Sequence, residues 1–328
     1  MIKTFIKPLL CVVLALVFVV GLGACGNDAA PRELDETEDT ATAIDEPARD
    51  EHKQENPKEP VTEPAVDEEL AARLTADIQA VADSSGMDVG CTVIDLTSGT
   101  QASLAGSQPF ASASMIKLIV AETFLGKCNQ GVFSLDDTYA LRVEDIVGGT
   151  GSLQGWGAGA TLTYRELVQK MISESDNTAA NVLIDTLGMG AVNAEAQRLG
   201  LTATQLNRKM MDLEAQAAGR ENYTSADDVA ALLRMVWDKT FVSEEASMLV
   251  LTAMENQTDM AGIRVGLPAD VVFAHKTGSL TIARHDGGIA EGDEPFILVV
   301  LCGGNGFYEA GALETMAKIG SVVYADLA

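Results

Sequence analysis

Two polar residues one helical turn apart, Ser114 and Lys117, lie at the front of a stretch that is otherwise mostly apolar. From residue 115 to residue 125 it is apolar on nearly every side, as in a helix buried inside a domain. A lysine in the first turn of such a helix opposes the helix dipole and must lose its water. Chemistry gives a reason for it, because a desolvated and partly neutral lysine can take the proton of a hydroxyl and make serine a nucleophile. Free backbone N–H groups at the same helix end could stabilise an oxyanion.

Two further polar stretches occur later in the chain. Ser-Asp-Asn at 175–177 comes just before an alanine-rich helical pattern, and Lys-Thr-Gly at 276–278 lies on an apolar strand. Taken alone, the first could be a helix cap with its first turn, and the second could simply end a strand. S-x-x-K fixes only two positions and could occur by chance. Each stretch by itself therefore has an ordinary structural explanation.

Together the three stretches form the set S-x-x-K, S-D-N and K-T-G, which is the signature of class A β-lactamases and penicillin-binding proteins. Each occurs once, in that order. Residues 67–328 therefore resemble this family of serine hydrolases, and the likeness extends through residues 175–181 and the Leu-Thr-Tyr-Arg-Glu-Leu run at 162–167. The resemblance implies an α+β (α/β) fold of the serine β-lactamase/transpeptidase type. Its five-stranded antiparallel sheet would be flanked by helices, with an all-α subdomain at about 130–256.

The resemblance also implies which residues carry out acylation. Ser114 would be the acylated nucleophile, Lys117 its base or proton relay, and Ser175 the group that passes a proton to the departing amine. The backbone N–H groups of Ser114 and Ser279 would form the oxyanion hole.

A second set of residues is implied to bind the substrate. Asn177 would bond the substrate's amide side chain, and Lys276 would supply a cation for its carboxylate. Thr277 and Ser279 would bind the same carboxylate, and Arg284 resembles an arginine that supports it in relatives.

The sequence departs from the β-lactamase pattern in the loop at 207–222. In those enzymes an Ω-loop Glu activates the water that releases the acyl group. Counting forward from the Ser-Asp-Asn motif places that Glu near Met211, and counting back from 223–225 places it near Lys209, and neither is a carboxylate. Asp212 and Glu214 are the nearest candidates for a displaced base, and Asn181, the usual partner of that Glu, is present. Slow release of the acyl group is expected.

Composition limits the partners. The chain has 328 residues and a net charge of −26 without any basic stripe, which argues against nucleic acid. Its few histidines and cysteines do not form a metal-binding pattern, so neither a metal nor another cofactor is expected. We expect a monomer that binds a small β-lactam or a D-Ala-D-Ala peptide.

The N-terminus predicts export and anchoring. Lys3 and Lys7 precede an apolar run at 9–20 and then Leu-Gly-Ala-Cys, which ends at Cys25 and resembles the bacterial lipoprotein signal. An uncleaved membrane anchor is the alternative. Residues 26–66 hold five of the nine prolines and are strongly acidic, which is typical of a disordered tether. These features predict a lipid anchor at Cys25 and a globular part outside the cytoplasmic membrane of a bacterium.

Periodicity predicts the elements of the globular part. A helix is expected over 67–83, a hairpin over 88–96 and 101–104, and a mainly helical region over 134–256 with loops at 148–160 and 207–222. Strands are then expected at 271–275, 280–290 and 296–302, before an amphipathic helix at 308–327.

The leading interpretation is a class A-type β-lactam hydrolase that acts through an acyl-enzyme and so confers antibiotic resistance. A penicillin-binding D-Ala-D-Ala carboxypeptidase or transpeptidase would use the same acylation residues on wall peptide. A non-catalytic lipoprotein that binds cell-wall fragments is a third possibility, and the complete set of Ser114, Lys117, Ser175 and Lys276 argues against it.

Overall fold

The computed structural model describes residues 66–328, so the predicted signal peptide, Cys25 and nearly all of the predicted tether lie outside the described residues. The strands are β1 (Asp88–Asp95), β2 (Gln101–Leu104), β3 (Phe110–Ala111), β4 (Thr138–Ala140), β5 (Thr161–Thr163), β6 (Tyr223–Thr224), β7 (Val272–Leu280), β8 (Ala283–Glu291) and β9 (Phe296–Gly303). The helices are α1 (Glu68–Ser85), α2 (Lys117–Asn129), α3 (Tyr164–Ser173), α4 (Asn177–Leu187), α5 (Met189–Arg198), α6 (Leu213–Ala217), α7 (Ala226–Trp237), α8 (Glu244–Glu255), α9 (Ile263–Gly266) and α10 (Glu309–Leu327). A 3₁₀ turn, Ala113–Ile116, leads into α2.

A five-stranded antiparallel sheet in the order β2-β1-β9-β8-β7 forms the centre of the described part of the chain. This confirms the predicted sheet. β7 lies at one edge of the sheet, where its outer side is free to border a cleft.

Both faces of the sheet are buried, as β9 shows. Alternate residues of this strand enter two separate hydrophobic clusters: Ile297 and Val299 belong to one, and Leu298 and Val300 to the other. This is the two-residue period of a strand with an apolar layer on each side. One cluster contains residues of α1 and α10, and the other contains residues of α2, α3, α4, α5, α7 and α8.

The helix ends follow from local chemistry. Asp67 caps α1 by accepting from the N–H groups of Glu69 and Leu70, and the helix ends at Gly86, which adopts a φ of 69°. Thr163 and Glu166 cap α3 reciprocally. Among the described residues no helix is long and apolar enough to cross a membrane.

Two predicted boundaries were wrong. The strand expected to end at residue 275 continues to Leu280, because it pairs with β8 as far as the Leu280–Ala283 couple. Its polar residues therefore lie within an edge strand and do not terminate it. The helix at Ser114 begins as the 3₁₀ turn, so that Lys117 is the first residue of α2 and Ser114 lies before it.

Candidate active site

Ser114 lies at the floor of a cleft of about 450 Å³ between β7, the start of α4 and the loop at 207–222. It is half-buried, and the residue before it, Ala113, has a φ of 47°. A residue other than glycine in the left-handed region is strained, and such strain is concentrated at functional sites. In the same cleft, Ser175 with a φ of 52° and Met211 with a φ of 60° share this conformation. The serine predicted to be the nucleophile is therefore presented by a strained turn.

Lys117 is completely buried below Ser114. Its Nζ donates to the Ser175 carbonyl at 2.6 Å, to Asn177 Oδ1 at 2.9 Å and to Ser175 Oγ at 3.2 Å. Burial lowers the pKa of Lys117 well below its ordinary value and the nearby Lys276 lowers it further, while Asp176 opposes both. A lysine in this state can accept a proton near neutral pH.

Lys276 approaches the same hydroxyl from β7. It is also fully buried, and its Nζ donates to Ser175 Oγ at 3.0 Å and to the Thr277 carbonyl at 2.7 Å. Burial lowers its pKa to about 7, although Asp259 and Asp286 act to raise it. Two lysines from different elements therefore meet at Ser175 Oγ, which is the arrangement expected of a proton relay.

The segment that carries Ser175 is fixed by its own hydrogen bonds. Asp176 caps α4 by accepting from Ala179 N at 2.9 Å, and it also accepts from Leu153 N at 2.8 Å. Thr150 Oγ1 donates to the Ser175 carbonyl at 2.6 Å. The loop at 148–160 and α4 thus hold the Ser-Asp-Asn motif in place, as the capping interpretation predicted, in addition to any chemical role.

Asn177 connects the Ser-Asp-Asn segment to Lys117 of α2 and to the loop that begins at Gly148. Its Oδ1 accepts from Lys117, and its Nδ2 donates to the Gly148 carbonyl at 3.0 Å. Both groups of the amide are therefore engaged at the edge of the cleft.

Strand β7 lies directly against the nucleophile's turn. A methyl group added at Gly278 would meet Ala113 Cβ at 3.1 Å and Ser114 N at 3.2 Å. Only glycine allows such a close approach without displacement. The backbone of β7 is thereby brought beside the N–H of Ser114, where the two N–H groups of the predicted oxyanion hole would have to lie.

The three other residues predicted to bind the substrate also line the cleft. Thr277 is buried, Ser279 is exposed, and Arg284 faces Ser279 across the pair of strands β7 and β8. The Arg284 guanidinium is already engaged, because its Nη2 donates to Asp259 Oδ2. Asp259 was not singled out from the sequence, since it belongs to none of the three motifs.

The loop at 207–222 is closed by a largely buried ion pair, Arg208 to Glu221, with Arg208 Nη2 and Glu221 Oε1 2.7 Å apart. Asn181 then fixes the interior of the loop. Its Oδ1 accepts from Met210 N at 2.8 Å, and its Nδ2 donates to the Met210 carbonyl at 3.0 Å. Met210 thus occupies the place beside Asn181 where counting along the sequence gave Met211 or Lys209.

Neither candidate for a displaced base reaches the cleft. Asp212 caps the short helix α6 by accepting from Ala215 N at 2.9 Å, and Glu214 is exposed in that helix. Within residues 66–328, the carboxylates that line the cleft are those of Glu174 and Asp259. Glu174 Oε1 lies 2.8 Å from Lys170 Nζ, and Asp259 forms an ion pair with Arg284. Each of the two carboxylates therefore already has a cationic partner.

The amino-acid sequence is similar to those of known β-lactamases. Residues 73–327 match the model of the "Beta-lactamase enzyme family". The chain is 30% identical over 195 residues to β-lactamase AER-1 of Aeromonas hydrophila, covering 58% of this chain and 64% of that one. It is 27% identical to β-lactamase L2 of Stenotrophomonas maltophilia, covering 71% and 79% of the two chains.

Solved structures show the same likeness. A leucine-to-glutamate variant of PBP-A, in an acyl-enzyme complex with penicillin G, superposes with a TM-score of 0.71 at 26% identity and covers 77% of this chain and 96% of that one. A β-lactamase from Sphaerobacter thermophilus gives a TM-score of 0.69 at 27% identity, covering 78% and 97%.

Proposed function

This chain belongs to the β-lactamase enzyme family, and from that premise we propose that it is a serine hydrolase that opens β-lactams through an acyl-enzyme on Ser114. The observation that carries the proposal is the meeting of Lys117 and Lys276 at Ser175 Oγ, in a cleft that Ser114 lines. This arrangement joins a base, a proton relay and a cation beside one nucleophile.

Acylation follows from these positions. Ser114 Oγ attacks the carbonyl carbon of the lactam, and its proton passes to the unprotonated form of Lys117, which burial and the nearby Lys276 favour by lowering the lysine's pKa. The developing oxyanion accepts from the N–H groups of Ser114 and Ser279, and one such donor is worth about 3 kcal/mol in the transition state. The C–N bond of the ring then breaks. Lys117 returns the proton through Ser175 Oγ, 3.2 Å away, to the departing nitrogen.

Substrate orientation falls to the wall formed by β7. Thr277 and Ser279 line the cleft and hold the substrate's carboxylate, with Arg284 beside them, and the buried ammonium of Lys276 supplies the positive charge. A local cation is needed because the chain as a whole is strongly acidic and repels anions at long range. Asn177 Nδ2 has a second hydrogen besides the one donated to Gly148, and it donates this hydrogen to the amide carbonyl of the substrate's side chain.

Release of the acyl group is the slow step. Hydrolysis of the ester needs a base within hydrogen-bond reach of the attacking water. Asn181 hydrogen-bonds the backbone of Met210, where the resemblance calls for a glutamate. The thioether side chain of Met210 cannot act as that base. The described carboxylates of the cleft are both in ion pairs. We therefore expect hydrolysis that is limited by deacylation.

Two other functions are less well supported. A D-Ala-D-Ala carboxypeptidase would use the same acylation residues, yet the family model and the relatives named above favour the β-lactam ring. A non-catalytic wall-binding role leaves the buried lysines without an explanation, since a buried ammonium is costly.

The test is labelling by a fluorescent penicillin, followed by turnover of a chromogenic cephalosporin. Ser114→Ala should abolish labelling and turnover, and Lys117→Ala should nearly do so. Ser107→Ala, at an exposed serine outside the cleft, is the matched control and should behave like the parent. Labelling that persists in Ser114→Ala would refute the assignment of the nucleophile.

We further propose that the protein is a lipoprotein, anchored through Cys25 to the outer face of the bacterial cytoplasmic membrane, and that its globular part is a monomer. The Leu-Gly-Ala-Cys sequence and the acidic, proline-rich segment after it support the anchor. Cys25→Ala should lose incorporation of a fatty-acid label, whereas Cys128→Ala should keep it. Equal incorporation in Cys25→Ala and the parent would contradict the anchor. Sedimentation of the globular part tests the proposal that it is a monomer.

A further inference from the structure

We propose that Asp259 is a specificity-determining residue. Its carboxylate competes with the substrate's carboxylate for the guanidinium of Arg284 on β8. The inference rests on the proposed function, because it concerns how the same cleft selects its substrate.

The first observation is the position of Asp259. It lines the same cleft as Ser114, Thr277 and Ser279, in the segment between α8 and α9. Its carboxylate is about a third exposed, so it faces the open cleft and is not part of the protein interior.

The second observation is the partner of Asp259. Its Oδ2 accepts from Nη2 of Arg284, a side chain that is 8% exposed. Burial raises the pKa of Asp259, but the Arg284 guanidinium and hydrogen bonds from Arg284 and from the N–H of Ala261 outweigh it, and the pKa lies below its ordinary value. Asp259 is therefore ionised at neutral pH. Its partner Arg284 is one of the groups proposed to support binding of the substrate's carboxylate.

The third observation is that the Arg284 guanidinium has a hydrogen-bond donor without a partner. Within the described residues its Nε is buried and has no hydrogen-bond partner. A guanidinium can hold a carboxylate through two parallel N–H groups, so an arginine that is bonded through Nη2 alone has a donor left over. A substrate carboxylate that reached Arg284 would have to displace Asp259 or share the guanidinium with it.

These observations lead to a defined selectivity. A carboxylate on the substrate meets Lys276 and Arg284 but also the negative charge of Asp259, which offsets part of the attraction. The cleft should therefore favour a β-lactam acid over its uncharged ester less strongly than Lys276 and Arg284 alone would allow, and removal of the Asp259 charge should increase this preference.

The experiment measures the second-order rate constant of acylation for a chromogenic cephalosporin and for its methyl ester at about pH 5. This lies well below the Lys276 pKa of about 7, so that Lys276 stays charged even though loss of Asp259 lowers that pKa. We expect Asp259→Asn, and equally Asp259→Ala, to raise the ratio of acid to ester by about tenfold, since a charge-assisted contact is freed for the substrate. Asp136→Asn removes the same charge from a side chain that is 84% exposed and does not line the cleft, and it should leave the ratio unchanged.

The outcomes are distinguishable. Acylation of both Asp259 variants with an unchanged or lower ratio would overturn this inference and leave the proposed function intact. A rise of the same size in Asp136→Asn would also overturn it, because the effect would then come from net charge. If neither the parent nor any variant is acylated, the proposed function fails, and the selectivity inferred for Asp259 fails with it.

Discussion

Asn181 holds Met210 by both groups of its side-chain amide: Oδ1 accepts from Met210 N at 2.8 Å, and Nδ2 donates to the Met210 carbonyl at 3.0 Å. Met210 is buried and lines the cleft. The residue beside Asn181, where the resemblance calls for a glutamate, thus carries a thioether in this protein. The chain retains the groups needed to form an acyl-enzyme but not a carboxylate at that place to break it down.

The first prediction concerns this position. Met210→Glu should accelerate release of the acyl group by about a hundredfold, the lower end of what a positioned general base contributes. The side chain lies in the cleft lining and its backbone is already fixed by Asn181. Deacylation is measured by the decay of a penicillin adduct after removal of free drug. Met210→Gln has nearly the same shape without a base and is the control, so equal acceleration in both variants would refute the explanation.

The second prediction concerns pH. Lys276 is charged below its pKa of about 7 and neutral above it, since burial disfavours the ammonium. Acylation by an anionic cephalosporin, relative to its uncharged ester, should therefore fall between about pH 6 and about pH 8. Taking the ratio removes the contribution of Lys117, which serves both substrates. In Lys276→Ala the ratio should be low and independent of pH, and a ratio in the parent that rises with pH would contradict the role of Lys276.

The third prediction concerns the approach of β7 to Ser114. In Gly278→Ala the added methyl group lies 3.2 Å from Ser114 N and 3.1 Å from Ala113 Cβ, so β7 must move away from the turn. We expect acylation to slow about tenfold or more, because the oxyanion donors separate. Gly190→Ala adds a methyl group that meets nothing within 4 Å and is the matched control. Unchanged acylation by Gly278→Ala would show that this approach has no catalytic role.

The fourth prediction concerns stability. Glu221→Ala leaves Arg208, which is 6% exposed, without its carboxylate partner. Breaking a buried pair in this way should lower the free energy of unfolding by about 3 kcal/mol. Denaturant unfolding measures the change. Glu314→Ala removes one partner of an exposed pair on α10 and should have little effect. Equal losses in the two variants would show that the Arg208–Glu221 pair has no special importance.

Much of the fold, and the gathering of the three motifs at one cleft, could be predicted from the sequence for physical reasons. A lysine in the first turn of an apolar helix has no structural purpose, so the pair Ser114 and Lys117 signalled chemistry. The uninterrupted apolar run at 296–302 predicted a strand. The end of β7 could not be predicted, because polar residues that line a cleft from an edge strand look like the end of that strand.

The register of the loop at 207–222 and the contact between Asp259 and Arg284 could not be predicted in the same way. Counting along a loop fixes a position only if its length is known, and the pairing of Asn181 with Met210 depends on the folded path. Asp259 belongs to no motif, and its contact with Arg284 joins residues that lie 25 positions apart. Such relationships arise from tertiary packing and not from local pattern.

The most direct measurement is a time course of the intact mass of the protein, mixed with excess benzylpenicillin and quenched at intervals from milliseconds to minutes. We expect one penicillin to add to the parent, with the added mass on the peptide that contains Ser114, and the adduct to form much faster than it decays. Ser114→Ala should show no adduct. Rapid consumption of penicillin by the parent without any adduct on Ser114 would contradict slow deacylation, and an adduct of equal yield in Ser114→Ala would contradict the nucleophile itself.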